Sequence, residues 1–105
     1  MKSINVQEFK RMMDAGEDFK LIDVREAHEF DFVNMGAELI PLSSVPENAE
    51  KFPKDKKVIV HCRSGVRSGN AILMLEAMHG YDNLYNLEGG ILAWAKEIDP
   101  SLPTY

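Results

Sequence analysis

The chain has 105 residues, a net charge of −5 and a single cysteine, and these properties exclude several classes of protein. Twelve basic residues against seventeen acidic ones argue against nonspecific binding of nucleic acid, which requires a basic surface. One cysteine rules out an internal disulfide and a metal site of several thiolates, and the three histidines share no ligand spacing. No apolar run approaches the roughly 20 residues that span a bilayer. The sequence therefore predicts one soluble domain over residues 1–105, and the lack of an apolar export segment favours the cytoplasm.

Strand-like and helix-like segments alternate along the chain, which favours an α/β fold with a largely parallel sheet. In chain order, the pattern predicts a helix from Asn5 to near Gly16, a strand over 19–24, a helix over 26–32, an apolar segment over 39–40, a short helix from Ser44 to before Pro53, a strand over 57–61, a helix over 66–79, a strand over 83–87 and a helix over 91–98. Some large side chains lie at core spacing on these helices, and we expect them to pack inside: Met12, Met13, Met74, Met78 and Trp94.

Cys62 lies between the β-branched strand over 57–61 and the helix over 66–79. The turn that joins them contains Gly65, which is free to adopt a positive φ. Unpaired N–H groups of such a turn and of a helix N-terminus bind anions, and they lower the pKa of a thiol from its usual value of about 8.5. We therefore interpret Cys62 as the residue best suited to chemistry. Strand alternation directs His61 away from the thiol, which favours a core position for His61.

Two other strands also end in polar or glycine residues. Asp23 and Arg25 lie at the end of the strand over 19–24, and Glu88, Gly89 and Gly90 follow the strand over 83–87. Ligands of a parallel sheet bind beyond the carboxyl ends of its strands. We therefore expect these residues at the same edge of the sheet as Cys62.

Four segments occur in order over nearly the whole chain: Leu21-Ile22-Asp23-Val24-Arg25-Glu26, then Gly36-Ala37 before a short apolar strand ending at Pro41-Leu42, then Cys62-Arg63-Ser64-Gly65-Val66-Arg67-Ser68, and Leu87-Glu88-Gly89-Gly90-Ile91 ending at Trp94. Together they resemble the rhodanese, or thiosulfate sulfurtransferase, family. The resemblance implies an α/β fold with a five-stranded parallel sheet flanked by helices on both faces.

The resemblance also implies a function for each segment. Cys62 would carry a persulfide sulfur, taken from thiosulfate or a persulfide donor and passed to cyanide, a thiol or a partner's cysteine without a cofactor. Asp23 and Arg25 would form an ion-pair network beneath the loop. The loop backbone would cradle the sulfur and the sulfonate of the donor, through the substrate-binding residues Arg63, Ser64, Gly65, Val66 and Arg67.

The residues themselves leave the roles of the two loop arginines open. Arg63 is either a solvated side chain or a cation at the mouth of the site that attracts anionic donors. Arg67 is interpreted as an ion-pair partner at the start of the helix in preference to a substrate ligand.

One segment departs from the family pattern. Many relatives carry Gly-His-Ile before Gly-Ala, whereas this chain has Phe32-Val33-Asn34-Met35 before Gly36-Ala37. A variant with Asn near this position is typical of rhodanese domains attached to proteins that activate sulfur carriers. The departure favours a sulfur relay and removes any role that the histidine would have.

Two other functions compete with sulfur transfer. Cysteine phosphatases and arsenate reductases use a similar strand–loop–helix, but they place one more residue between the cysteine and its arginine than the four found between Cys62 and Arg67. A non-catalytic rhodanese-like module, which binds a partner or senses sulfide, is the other alternative. The presence of Cys62, Gly65 and both loop arginines weighs against it.

Overall fold

Five parallel strands form the sheet at the centre of the computed structural model, which describes residues 1–105. The strands follow one another across the sheet in the order β1-β5-β4-β2-β3, so that β4 lies in the middle. Every neighbouring pair is parallel, as the alternation of strands and helices predicted. The strand bounds are β1 Lys2–Ile4, β2 Phe19–Asp23, β3 Glu38–Leu39, β4 Lys57–His61 and β5 Leu84–Leu87.

Three α-helices lie between the strands and a fourth follows β5, and together they cover both faces of the sheet. Their bounds are α1 Val6–Asp14, α2 Ala27–Phe32, α3 Val66–His79 and α4 Gly90–Glu97, and two 3₁₀ segments, Leu42–Ser44 and Pro46–Lys51, lie between β3 and β4. None of these helices has the length and apolar character that crossing a membrane requires.

The alternation of side chains along β4 builds a core on each face of the sheet. Val58 and Val60 pack into a cluster of 14 buried residues that includes Ile72 of α3. Ile59 points to the opposite face, into a cluster with Phe9 of α1 and Trp94 of α4. All three β4 side chains are fully buried, as expected for a strand covered on both faces. The expectation that helices flank both faces is thereby confirmed.

The sequence patterns missed the first strand and misplaced two methionines. Lys2–Ile4 is a polar edge strand, held by pairing with β5, and short polar edge strands lack the apolar signal of buried ones. Met13 is 42% exposed, because it follows the buried Met12 by one position and a helix turns by about 100° between neighbours. Met78 is 71% exposed, because the buried residues of α3 end at Leu75.

Candidate active site

Cys62 lies directly after the central strand β4, at the carboxyl edge of the sheet. The chain then turns through Arg63, Ser64 and Gly65 into α3, whose N-cap is Gly65. Gly65 has a φ of +107°, in the left-handed region that favours glycine. Asp23 ends the strand β2, which is next to β4, and pairs in register with His61. The common edge is as predicted, whereas the adjacency of these two strand ends is seen only in the structure.

Polar groups of the loop and of α3 lie around the sulfur of Cys62. The residue is only 1% exposed. The Gly65 N–H donates to Sγ over 3.1 Å, and the Ser68 hydroxyl oxygen lies 3.4 Å from Sγ. Burial acts to raise the pKa of the thiol, but hydrogen bonds from Ser68 and from the backbone N–H groups of Gly65 and Ser64 outweigh it and lower the pKa. The thiol therefore ionises more readily than a free one, in the direction that the sequence predicted.

The start of α4 holds the loop from the other side. The Ile91 N–H donates to the Cys62 carbonyl over 3.0 Å, and the Leu92 N–H donates to the Arg63 carbonyl over 3.2 Å. This approach requires Gly90, because a Cβ there would lie 2.5 Å from the Arg63 carbonyl oxygen, and its φ is +57°. Gly90 thus allows the start of α4 to lie against the cysteine loop.

We expect Gly90→Ala to destabilise the protein by about 3 kcal/mol, since left-handed strain costs roughly 1–2 kcal/mol and overpacking roughly 1–3 kcal/mol. Gly16→Ala is the matched control, because Gly16 has a φ of +68° but nothing within 4 Å of its Cβ position. Urea unfolding should show the control to cost roughly 1 kcal/mol. Equal losses in the two variants would contradict the close approach of α4 to the loop.

Asp23 and Arg25 form a buried ion pair beside the loop. Both side chains are 0% exposed, and an Arg25 guanidinium N–H donates to Asp23 Oδ2 over 2.8 Å. The same guanidinium group donates to the Val33 carbonyl over 2.7 Å, which fixes the chain where α2 ends. Burial lowers the pKa of Arg25, but hydrogen bonds to Asp23 and Tyr105 raise it by more. The ion pair that the family resemblance implied for these two residues is present.

His61 is a fully buried side chain that contacts this ion pair. Its Nε2 lies 3.6 Å from Asp23 Oδ2, and its Nδ1 lies 3.2 Å from the Cys62 carbonyl oxygen. Burial lowers the pKa of His61 and the charge of Asp23 acts against it, so the imidazole is neutral near pH 7. The predicted core position of His61 is confirmed.

Arg67 is paired with a carboxylate that the sequence patterns did not single out. Its two terminal nitrogens donate to Glu29 Oε1 over 2.7 Å and to Glu29 Oε2 over 2.9 Å, a bidentate pair that joins α3 to α2. Arg67 holds the pKa of Glu29 well below its usual range, although burial acts to raise it. The interpretation of Arg67 as an ion-pair partner at the helix start is confirmed.

The Glu29–Arg67 pair should make the free energy of unfolding depend on pH. The folded-state pKa of Glu29 lies below its ordinary value of 4.5, so the pair stabilises the protein above about pH 4.5 and progressively less as the pH falls through the folded-state value. In urea unfolding, Glu29→Gln should therefore lose more stability at pH 7 than at pH 3. Glu47→Gln, at an exposed position on a 3₁₀ segment, is the control and should show no such trend. A Glu29→Gln loss that is independent of pH would contradict the ion pair.

Tyr105 completes the mouth of the site from the far end of the chain. Its hydroxyl donates to Glu29 Oε2 over 2.6 Å and accepts from an Arg25 N–H over 2.9 Å.

The Arg63 guanidinium lies over the Tyr105 ring, 4.9 Å from its centroid, which is a cation–π contact. Arg63 forms no salt bridge and its Nε has no hydrogen-bond partner, so its positive charge is uncompensated in the loop. Contacts across 76 to 80 positions leave no local pattern, which is why the sequence did not indicate Tyr105.

The chain belongs to the rhodanese-like family, whose domain model matches residues 5–97. The crystal structure of a rhodanese-like domain protein from Staphylococcus aureus is similar over 100% of this chain and 99% of that one, with a TM-score of 0.84 and 34% identity. A sulfurtransferase of Allochromatium vinosum is 38% identical over 81 residues, which cover 76% of this chain and 75% of that protein.

A relative with a second named activity is much longer than this chain. "Probable adenylyltransferase/sulfurtransferase MoeZ" of Mycobacterium tuberculosis is 37% identical over 106 residues. The match covers 98% of this chain but 27% of MoeZ, so the chain spans about a quarter of that relative's length. Sulfur transfer is thus named both for a relative of similar length and for this much longer one.

Proposed function

We propose that the protein is a sulfurtransferase that carries sulfane sulfur as a persulfide on Cys62. The observation that carries the proposal is the position of Sγ, buried at the end of β4 with the Gly65 N–H directed at it over 3.1 Å. The names of related proteins support sulfur transfer as the general activity. A buried thiol with no such donors would be an ordinary core cysteine.

The proposed reaction has two displacement steps. The Cys62 thiolate attacks the outer sulfur of thiosulfate, a new S–S bond forms, and the bond to the sulfonate sulfur breaks. Sulfite leaves with that electron pair, and the outer sulfur keeps the negative charge that it carried in thiosulfate, now as the terminal sulfur of the persulfide. An acceptor thiolate or cyanide then attacks that outer sulfur, and Cys62 leaves as a thiolate. Sulfite is a good leaving group, so no general acid is needed.

The loop residues divide this work between them. Backbone N–H groups of Ser64 and Gly65 stabilise the charge on the sulfur, much as an oxyanion hole does, and one such donor is worth roughly 3 kcal/mol. Glu29 occupies both terminal nitrogens of Arg67, so we assign Arg67 to holding α3 in place. Arg63 has no carboxylate partner, so we assign it to attracting the anionic donor.

The acceptor is a separate molecule in this proposal. The chain has one cysteine, so no second thiol within it can resolve the persulfide. Cyanide, a small thiol or the cysteine of a partner protein would each be a competent acceptor.

The test is the formation of thiocyanate from thiosulfate and cyanide. A persulfide intermediate predicts ping-pong kinetics, with parallel double-reciprocal lines as the cyanide concentration is varied. A small thiol offered in place of cyanide should release sulfite at a comparable rate. A protein that forms no thiocyanate and releases no sulfite would be a non-catalytic module, and Cys62-dependent hydrolysis of an aryl phosphate would establish the phosphatase alternative instead.

A further inference from the structure

The sulfur of Cys62 and three other residues form a closed ring of contacts. The Ser68 hydroxyl lies 3.4 Å from Cys62 Sγ and 2.6 Å from Asn86 Oδ1, at the end of β5. The amide nitrogen of Asn86 donates to the Gly65 carbonyl over 3.0 Å, and the Gly65 N–H returns to Sγ over 3.1 Å. Asn86 therefore contacts both residues that contact the sulfur. The reaction proposed above does not account for Asn86.

The donors and acceptors fix the direction of this ring. The Gly65 carbonyl can only accept, so the Asn86 side chain must direct its nitrogen at Gly65 and its oxygen at Ser68. The Asn86 oxygen can also only accept, so the Ser68 hydroxyl must donate to it. A hydroxyl has one hydrogen. While Ser68 donates to Asn86, it presents lone pairs to Sγ, and this suits a thiol that donates its own hydrogen.

We propose that Asn86 is a positioning residue that competes with the sulfur of Cys62 for the single hydroxyl hydrogen of Ser68. The hydroxyl stabilises the thiolate only when it turns its hydrogen from Asn86 to Sγ. The 2.6 Å contact with Asn86 is a short O–H···O hydrogen bond and a neutral thiol sulfur is a weak acceptor, so the hydroxyl donates to Asn86 while the sulfur is protonated. Ionisation reverses the preference, because a hydrogen bond to a charged acceptor is roughly twice as strong as a neutral one. Asn86 thus restrains the reactivity of the resting thiol.

The charged groups near the sulfur act separately from this competition. The positive charge of Arg67 on α3 interacts with the charge of the Cys62 thiolate, and Glu29 on α2 pairs with Arg67. From β4, His61 contacts the Cys62 backbone carbonyl and is neutral. The uncompensated charge of Arg63 lies over Tyr105. None of these groups contacts Ser68 or Asn86, so substitutions at those two positions leave the charges in place.

The experiment measures the rate at which iodoacetamide alkylates Cys62 as a function of pH, in the full chain. The only thiol is Cys62, so the midpoint of the pH profile reports the ionisation of this thiol, whereas the plateau rate also depends on access to it. Asn86→Leu removes the competing acceptor and should lower the midpoint of the profile by about one pH unit. Ser68→Ala removes the contested hydrogen and should raise the midpoint. In the Ser68→Ala background, Asn86→Leu should shift the midpoint much less, because only its hydrogen bond to the Gly65 carbonyl remains to be lost.

The proposal would be overturned by an Asn86→Leu shift of equal size in both backgrounds, or by an upward shift in the natural background. Either result would mean that Asn86 acts through Gly65 or on the fold, and not through Ser68. Asn86→Ala makes the same test with a smaller side chain if the leucine does not fit, and circular dichroism confirms the fold of each variant. The proposal rests on Cys62 as the reacting group, but alkylation needs no sulfur donor. Loss of sulfur transfer with the coupling intact would therefore refute only the proposed function.

Discussion

Cys62→Ser should reduce the transfer of sulfur from thiosulfate to cyanide by about a thousandfold or more, because it removes the atom on which the sulfur is carried. A hydroxyl does not form a stable equivalent of a persulfide. The measurement is the rate of thiocyanate formation at saturating thiosulfate, beside that of the unaltered protein.

The same variant should keep its fold. Serine is close to cysteine in size, and its oxygen can accept the Gly65 N–H that Sγ accepts. We expect its free energy of unfolding to lie within about 1 kcal/mol of the original value. A folded Cys62→Ser protein that still forms thiocyanate at the original rate would place the chemistry elsewhere.

Asp23→Ala should produce the largest loss of stability, about 3–5 kcal/mol, because it leaves the Arg25 guanidinium buried without a counter-charge. Arg25 is 0% exposed and donates to Asp23 through both its side chain and its backbone N–H. Urea unfolding measures the loss.

Asp14→Ala is the matched control for this prediction. Asp14 also pairs with a cation, Lys10, over 2.5 Å, but its side chain is 60% exposed. An exposed pair contributes between 0 and about 1 kcal/mol, so the control should lose little. If the two variants lose the same amount, burial of the Asp23–Arg25 pair does not determine its contribution.

The sequence predicted the parts of the site that are local. The strand over 57–61 and the helix over 66–79 occur at the predicted bounds, because continuous β-branched residues and a terminating Gly80 are strong signals. The side chain of His61 was also correctly interpreted, since alternation along a strand is a local property.

The contacts that complete the site join distant segments, and local patterns do not contain them. Glu29, Asn86 and Tyr105 each contact the loop or its partners across 18 or more positions. The Glu29 side chain also accepts the Glu26 N–H at the start of α2, which is the one local signal that could have drawn attention to it. Pairing of the α2 carboxylate with Arg67 depends on the sheet order, which sequence spacing does not reveal.

The most direct test of the central claim is the mass of the peptide that contains Cys62 after incubation of the protein with thiosulfate. Trypsin cuts after Lys57 and Arg63, so the peptide over 58–63 contains the only cysteine. The protein is first capped with iodoacetamide and then digested without reducing agent. After thiosulfate treatment, this peptide should be heavier by one sulfur atom than the same peptide from untreated protein. Prior treatment with cyanide should remove the added sulfur. A peptide that carries only the capped thiol, with or without thiosulfate, would contradict a persulfide on Cys62.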